Sequence, residues 1–324
     1  MIDVIVPNYN GSAFLQACLD SLRAQTRRDF VVTVVDDASV DDSVALLQAR
    51  YPEVQVLVMP RNRGFAAAVN AALVATRQPF VALLNNDTEA DPHWLEALIG
   101  ALERWPQFAF AASKLRLFDR RDVLHSAGDF YRINGEPGNR GVWEQDRGQY
   151  DAYVEVFGPC AGAAAYRRSA LELLAEDGRV FDEDLVMYCE DVDLNLRAQR
   201  KGLRTIFVPT AVVYHRLSAS GGGSLASYYC GRNFPLVWVK NMPTPLARRH
   251  WPELLISQVR WAVHSLLHIR EPAARARLRG QLAALRALPR FMARRSALPE
   301  EAAAVTTALM LGQPPMRDYY EQPS

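Results

Sequence analysis

The first hundred residues alternate short β-branched runs with segments of helical period, and this alternation constrains the fold more than any other feature of the chain. Residues 2–6, 30–35, 54–59 and 80–84 read as strands. Residues 12–23, 41–50 and 65–76 carry helical spacing, and Pro92 opens a further helix to about Arg104. Strands and helices in this order make an α/β fold, a mainly parallel sheet flanked by helices, because parallel neighbours need a helix-length crossover. Such sheets bind ligands beyond the carboxyl ends of their strands. The polar residues gather at those ends. Pro7-Asn8-Tyr9-Asn10 follows the first strand, Asp36-Asp37-Ala38-Ser39 the second, Arg61-Asn62-Arg63-Gly64 the third and Asn85-Asn86-Asp87 the fourth. One such cluster is an ordinary loop; four on one rim mark a site.

Residues 113–155 break the rhythm. They are rich in Gly, Asp, Arg and aromatics, and read as irregular hairpins or a flap. Residues 156–164 are apolar and Gly-punctuated, and a helix spans 168–175. Phe181-Asp182-Glu183 leads to Tyr188-Cys189-Glu190-Asp191-Val192-Asp193, from which a helix runs to Lys201 and stops at Gly202. A strand over 205–208 ends before Pro209. Gly221-Gly222-Gly223 reads as a joint, followed by helices with apolar stripes at Leu255, Val259, Ala262, Leu266 and Ile269, and at Leu278, Leu282 and Leu285. Pro314, Pro315 and Pro323 fray the last twenty or so residues. The predicted organisation is a catalytic domain over 1–218 and a C-terminal helical, Arg-rich extension over 219–324.

A formal net charge of +1 gives no global argument for nucleic-acid binding, and none is expected. Its distribution is uneven. Residues 246–295 hold eleven Arg against Glu253 and Glu271 alone, so this segment is expected to meet an anionic membrane surface or phosphate groups. In the alternative, its Leu stripes pack on the catalytic domain or on a second subunit, giving a homodimer, and the Arg face is merely solvated. Cys18, Cys160, Cys189 and Cys230 lack C-x-x-C spacing, which points to a reducing cytoplasm rather than a thiolate metal site. No leader-like basic and apolar run opens the chain, and no window reaches ~18 apolar residues. The expected location is cytoplasmic, with peripheral attachment to the inner face of the plasma membrane as the variant.

Four candidate groups carry chemistry. Asp37 can accept the ring N–H of uracil or thymine, although Asp36, Asp37, Ser39 and Asp41 also suit a turn and a helix cap. Asp87, at a strand end, suits a divalent cation that takes one or two carboxylates together with substrate phosphates. His215 can complete that shell through a neutral imidazole. Glu190, Asp191 and Asp193 put three carboxylates in four positions at a helix start, more than the helix dipole explains. Asp191 is the expected base for an acceptor hydroxyl, with Glu190 binding the acceptor or the roles reversed. Asp193 reads as a helix-start or metal-loop neighbour.

These blocks, with Asn62-Arg63-Gly64-Phe65-Ala66 and Val213-Tyr214-His215, together resemble the family 2 glycosyltransferases, above all the bacterial rhamnosyltransferase-like branch that builds surface polysaccharides. The resemblance covers roughly residues 1–240. It implies a GT-A fold and an inverting enzyme using Mg²⁺ or Mn²⁺ with a UDP- or dTDP-sugar donor. The implied acceptor is a glycan or a polyprenyl-diphosphate-linked molecule. Pro7, Tyr9, Asn10, Asp37, Asn62, Arg63, Gly64 and Asn86 would line the nucleotide-sugar pocket, Asp87 and His215 would hold the metal, and Asp191 with Glu190 would serve catalysis. Asn85 departs from the fuller Asp-x-Asp form of the family. A sugar-nucleotide pyrophosphorylase is discounted, because Asn8–Ser12 offers only Gly11 where a Gly-rich triphosphate loop is needed. A non-catalytic nucleotide-sugar or glycan-binding relative is the alternative.

Overall fold

The computed structural model describes residues 1–216 and 223–295. Its first half follows the alternation: β1 (Ile2–Asn8), α1 (Ser12–Arg23), β2 (Phe30–Asp36), α2 (Ser43–Arg50), β3 (Gln55–Val58), α3 (Phe65–Ala75), β4 (Phe80–Leu84), β5 (Thr88–Ala90) and α4 (Trp94–Arg104). Next come β6 (Phe108–Leu117), β7 (Leu124–Ser126), β8 (Asp129–Tyr131), β9 (Pro137–Asn139), β10 (Val154–Val156), β11 (Ala163–Arg167), α5 (Arg168–Leu174), α6 (Glu190–Arg200) and β12 (Arg204–His215). The chain ends, among described residues, in α7 (Ser224–Asn241), α8 (Thr244–Leu267) and α9 (Pro272–Ala293).

The central sheet runs β10-β12-β6-β11-β4-β1-β2-β3, with β5 added beside β12 and β7 beside β6. β1, β2, β3 and β4 are mutually parallel. β11 is antiparallel to both β4 and β6, so β6 and its parallel neighbour β12 point the same way as the first four. The sheet is therefore mainly parallel, as expected. Its two faces are covered differently. Leu15, Leu19 and Leu22 of α1, Leu47 of α2 and Trp94, Leu98 and Leu102 of α4 bury one face. The Ala-rich α3 lies on the other with α5 and α6, where Ala68 and Ala72 keep side-chain volume small. A third cluster joins Tyr131, Phe157, Leu185, Val192 and Leu196 to Leu236, Val237 and Trp238 of α7 and to Ala284 and Phe291 of α9.

Two expectations need correction. The strand after Gly202 does not stop before Pro209; β12 continues through it to His215. The pairing with β6 slips between Val208 and Val212, so Pro209 sits in an irregularity where its missing N–H breaks no ladder bond. Of the two readings left open for the stripes of the last helices, packing on the catalytic domain fails for Leu255, Val259, Leu266, Ile269, Leu282 and Leu285, which are exposed, whereas Ala262 and Leu278 are half-buried. Of the expected joint only Gly223 is described, and the Pro-bearing tail lies outside the described residues.

Candidate functional site

The rim of β1, β2 and β4 is a closed polar relay. Asn8 donates from Nδ2 to Asp36 Oδ2 at 2.8 Å, and its Oδ1 accepts from Asn86 Nδ2 at 2.7 Å. A Cβ on Gly11 would lie 2.0 Å from Asn86 Nδ2, so glycine is needed where the chain passes this pair. Asn86 is thus buried and committed to Asn8. Pro7 is half-buried at the end of β1, and Tyr9 is exposed. Asn10 adopts a left-handed conformation (φ 50°), which lets its Oδ1 accept from Val40 N–H while its own N–H donates to Ser39 Oγ.

Asp37 shapes the next loop. Its carboxylate accepts the backbone N–H of Arg63 at 2.9 and 3.1 Å and that of Gly64 at 2.7 Å. Burial pushes its proton affinity up, against the two backbone donors that lower it. A carboxylate offers about four lone-pair positions, so an acceptor remains for a ring N–H. Asn62 and Arg63 are exposed, and Arg63 forms an ion pair with Glu183 at 2.6 Å. Gly64 (φ 86°) abuts Val186, which a Cβ would meet at 2.6 Å.

Asp87 and His215, far apart in sequence, converge because β5 pairs with the end of β12, setting His215 opposite Thr88. Asp87 Oδ1 lies 3.2 Å from His215 Nε2. Two ligands at ~2.1 Å on an octahedral cation stand about 3 Å apart, so this pair fits Mg²⁺ or Mn²⁺. The buried Oδ1 of Asn85, two residues before Asp87, has no hydrogen-bond partner among the described residues and is a neutral oxygen where the fuller motif has an acid. Behind His215 stands His125 of β7, with the two Nδ1 atoms 3.1 Å apart. Burial, and then His215, hold His125 well below the usual imidazole range. The facing nitrogens share one proton. If His125 donates it, His215 keeps its own on Nε2 toward Asp87; if His215 donates it, Nε2 is a bare lone pair that can hold a cation.

The second cluster lies at the start of α6. Asn85 N–H donates to Gly162 O at 2.8 Å, and Asp191 Oδ2 accepts Ala161 N–H at 3.2 Å, so both clusters flank one segment before β11. Asp191, Asp129 and Cys160 present ligand atoms within 4.8 Å of one another. Burial raises Asp191, with the Ala161 and Val192 amides opposing. Burial, followed by the charge of Asp191, drives Glu190 and Asp129 well above the carboxylate range. Glu190 Oε2 has no hydrogen-bond partner among the described residues. Asp193 differs. It faces away from this cluster into Arg197, Lys240 and Asn241.

The segment that delivers Glu190 and Asp191 is strained and clamped. Val186, Tyr188 and Cys189 all have positive φ (67°, 62° and 70°), a costly conformation for a β-branched or bulky residue. Asn233 Nδ2, fully buried on α7, donates to the carbonyls of Leu185, Met187 and Tyr188 at 3.0, 3.1 and 2.8 Å. From the other side Asn70 of α3 accepts the N–H of Val180 and Phe181 and donates to Phe181 O. His125, Asp129, Cys160, Asn70 and Asn233 were not among the residues that sequence reasoning placed at the site. His125 and Asp129 lie in three-residue strands with no readable period, and their signal was only the dense His125-Ser126-Ala127-Gly128-Asp129 block.

A profile of the family described as Glycosyl transferase family 2 matches residues 3–174. The chain is 28% identical over 298 residues to an N-acetylglucosaminyl-diphospho-decaprenol L-rhamnosyltransferase of Mycobacterium tuberculosis, covering 83% of this chain and 91% of that protein. Among solved structures it superposes on TarS 1-349 of S. aureus in complex with UDP-GlcNAc, with a TM-score of 0.56, 18% identity and coverage of 96% and 88% of the two chains. It spans 40% of a longer TarS chain. The mannosyltransferase PcManGT of Pyrobaculum calidifontis, in complex with GDP-Man and Mn²⁺, gives a TM-score of 0.55 at 18% identity, covering 96% and 87%. These likenesses show the GT-A fold with C-terminal helices.

Proposed function

The chain belongs to glycosyl transferase family 2 and is a glycosyltransferase, and we propose that it inverts the anomeric centre as it moves a sugar, rhamnose foremost, from a dTDP- or UDP-donor to a glycan or polyprenyl-diphosphate-linked acceptor in surface polysaccharide synthesis. The observation that carries this reading is the pair of unlike carboxylate sites on one segment: Asp87 beside His215, and Asp191 beside Glu190.

In the proposed mechanism Asp37 reads the base while it pins Arg63 and Gly64 against the donor. Pro7, Tyr9, Asn10, Asn62 and Asn86 shape that pocket, Asn86 from beneath through Asn8. Asp87 and His215 would hold Mg²⁺ or Mn²⁺, which when bound supplies counter-charge for the diphosphate leaving group. His125 keeps His215 in the tautomer that leaves Nε2 bare. On the opposite side Asp191 takes the acceptor proton as the hydroxyl attacks. Glu190 is the harder of the two to ionise, because burial and then the Asp191 charge both oppose loss of its proton. It then serves as a hydrogen-bond donor to the acceptor, which leaves Asp191 as the base.

The rhamnosyltransferase relative supports a polyprenyl-diphosphate-linked acceptor, as its name describes one. No helix among the described residues is long and apolar enough to cross a membrane. We assign transfer to residues 1–218 and acceptor presentation to the extension over 219–324. A panel of dTDP- and UDP-sugars with Mn²⁺, read by thermal shift and by nucleoside diphosphate release, tests the donor class. Asp87→Ala is expected to abolish the Mn²⁺-dependent part of donor binding. If no uridine or thymidine donor binds the wild-type protein, the assignment of donor class fails.

A further inference from the structure

Helix α8 is amphipathic in the reverse sense. The residues it buries are small or polar, Ala247, Ser257 and Ser265. Those it turns to solvent are large and apolar, including Leu255, Ile256, Val259, Leu266 and Leu267, the last 78% exposed. At ~100° per residue these fall on one broad face opposite the buried one. α9, packed along α8 and α7, adds Leu282 and Leu285 to the exposed apolar surface. An exposed apolar face this long is unusual for a chain that ends its interactions at its own surface.

Its charge decides the partner. Arg248, Arg260, Arg270, Arg279 and Arg286 are exposed on the same two helices and their connection, and none has an ion-pair partner among the described residues, while Arg249 lies near Glu253. Glu253 and Glu271 are the only acids between residues 246 and 295. Two copies joined by this face would set these Arg against their own counterparts, whereas an anionic leaflet neutralises them and takes up the apolar side chains between them. We infer that α8 and α9 form an interfacial element that lies in the headgroup region of an anionic bilayer. The inference goes beyond the transfer chemistry and stands on these helices alone.

The full chain should float with vesicles of phosphatidylcholine and phosphatidylglycerol in equal parts, remain in the dense fraction with phosphatidylcholine alone, and be released by high salt. Ile256→Glu/Leu266→Glu and Arg260→Glu/Arg270→Glu should each lower the bound fraction about tenfold. Their melting temperatures and donor binding should be unchanged, since all four side chains are exposed. Three results would overturn the inference. The wild-type chain fails to float with anionic vesicles, the variants float as well as it does, or light scattering finds a dimer that Ile256→Glu/Leu266→Glu dissociates while lipid binding is absent throughout.

Discussion

The rim of β1, β2 and β4 and the cluster at the start of α6 flank the same segment, yet their polar groups are satisfied in opposite ways. On the rim, Asp36, Asn8 and Asn86 bond to one another, and Asp37 is spent largely on the Arg63 and Gly64 amides. Around α6, desolvation outweighs the donors that Asp191 and Asp129 do have, Glu190 Oε2 finds none among the described residues, and all three carboxyls are raised. The first arrangement builds a rigid receptor before the ligand arrives. The second stores basicity by denying a carboxylate its solvation. A single helix repeats the contrast, because Asp191 and Asp193, two residues apart, face these two kinds of environment. For Asp193 burial alone would raise proton affinity, but Lys240, Arg197 and Asn241 outweigh it and hold the carboxyl well below the usual range.

The sharpest way to break this contrast is at Asp191. Asp191→Asn should lower kcat/KM by about 10²–10⁴-fold while the donor Kd is unchanged. If Glu190→Gln instead carries that loss and Asp191→Asn does not, the two roles are reversed. In the wild-type enzyme the acid limb of the rate profile should lie above the ordinary Asp range. The group is raised in the fold and must be ionised to act, so activity falls as pH drops through that raised value.

Asp193 should answer in stability instead. Asp193→Ala leaves Lys240 and Arg197 buried without their counter-charge and should cost about 3–5 kcal/mol by urea unfolding. Its contribution is present above the unfolded carboxyl value and is lost as pH falls toward the folded one. A cost below ~1 kcal/mol would mean the buried cluster is solvated after all.

Asn233→Ala tests whether α7 belongs to the catalytic apparatus. It frees the carbonyls of Leu185, Met187 and Tyr188 and should destabilise by about 1–3 kcal/mol. It should also lower kcat more than it alters donor affinity, because Asn233 acts on Asp191 only through the strained segment. A donor Kd that weakens as much as kcat would assign Asn233 a general structural part.

The smallest effect is the most specific. Glu190→Gln should stabilise the fold modestly at pH 8, since a raised carboxyl loses folding free energy once pH exceeds its unfolded value of 4.5. The gain should vanish as pH approaches that value. A constant difference across pH would show that the effect is packing rather than charge.

Much of this was legible in the chain. β-branched runs and helical spacing announce parallel crossovers, and polar residues after four successive strands mark the rim, because strand direction forces those ends to one side. Asp87 and Asp191 stood out as acids beyond what caps and dipoles require. The pairing of His215 with Asp87 depended on β12 continuing through Pro209, which local pattern argues against and a pairing slip permits.

The sequence by itself determined the α/β class, the first four strands with the helices between them, and the identity of the acids, since these follow from local propensity and periodicity. Only the tertiary structure decided which acid stays charged, which becomes basic, and which histidine stands behind His215. Those properties depend on desolvation and on neighbours brought in from distant segments, and neither is written in the spacing of residues along one chain. The same holds for α8, where periodicity revealed the apolar stripe but only packing showed that it points away from the protein.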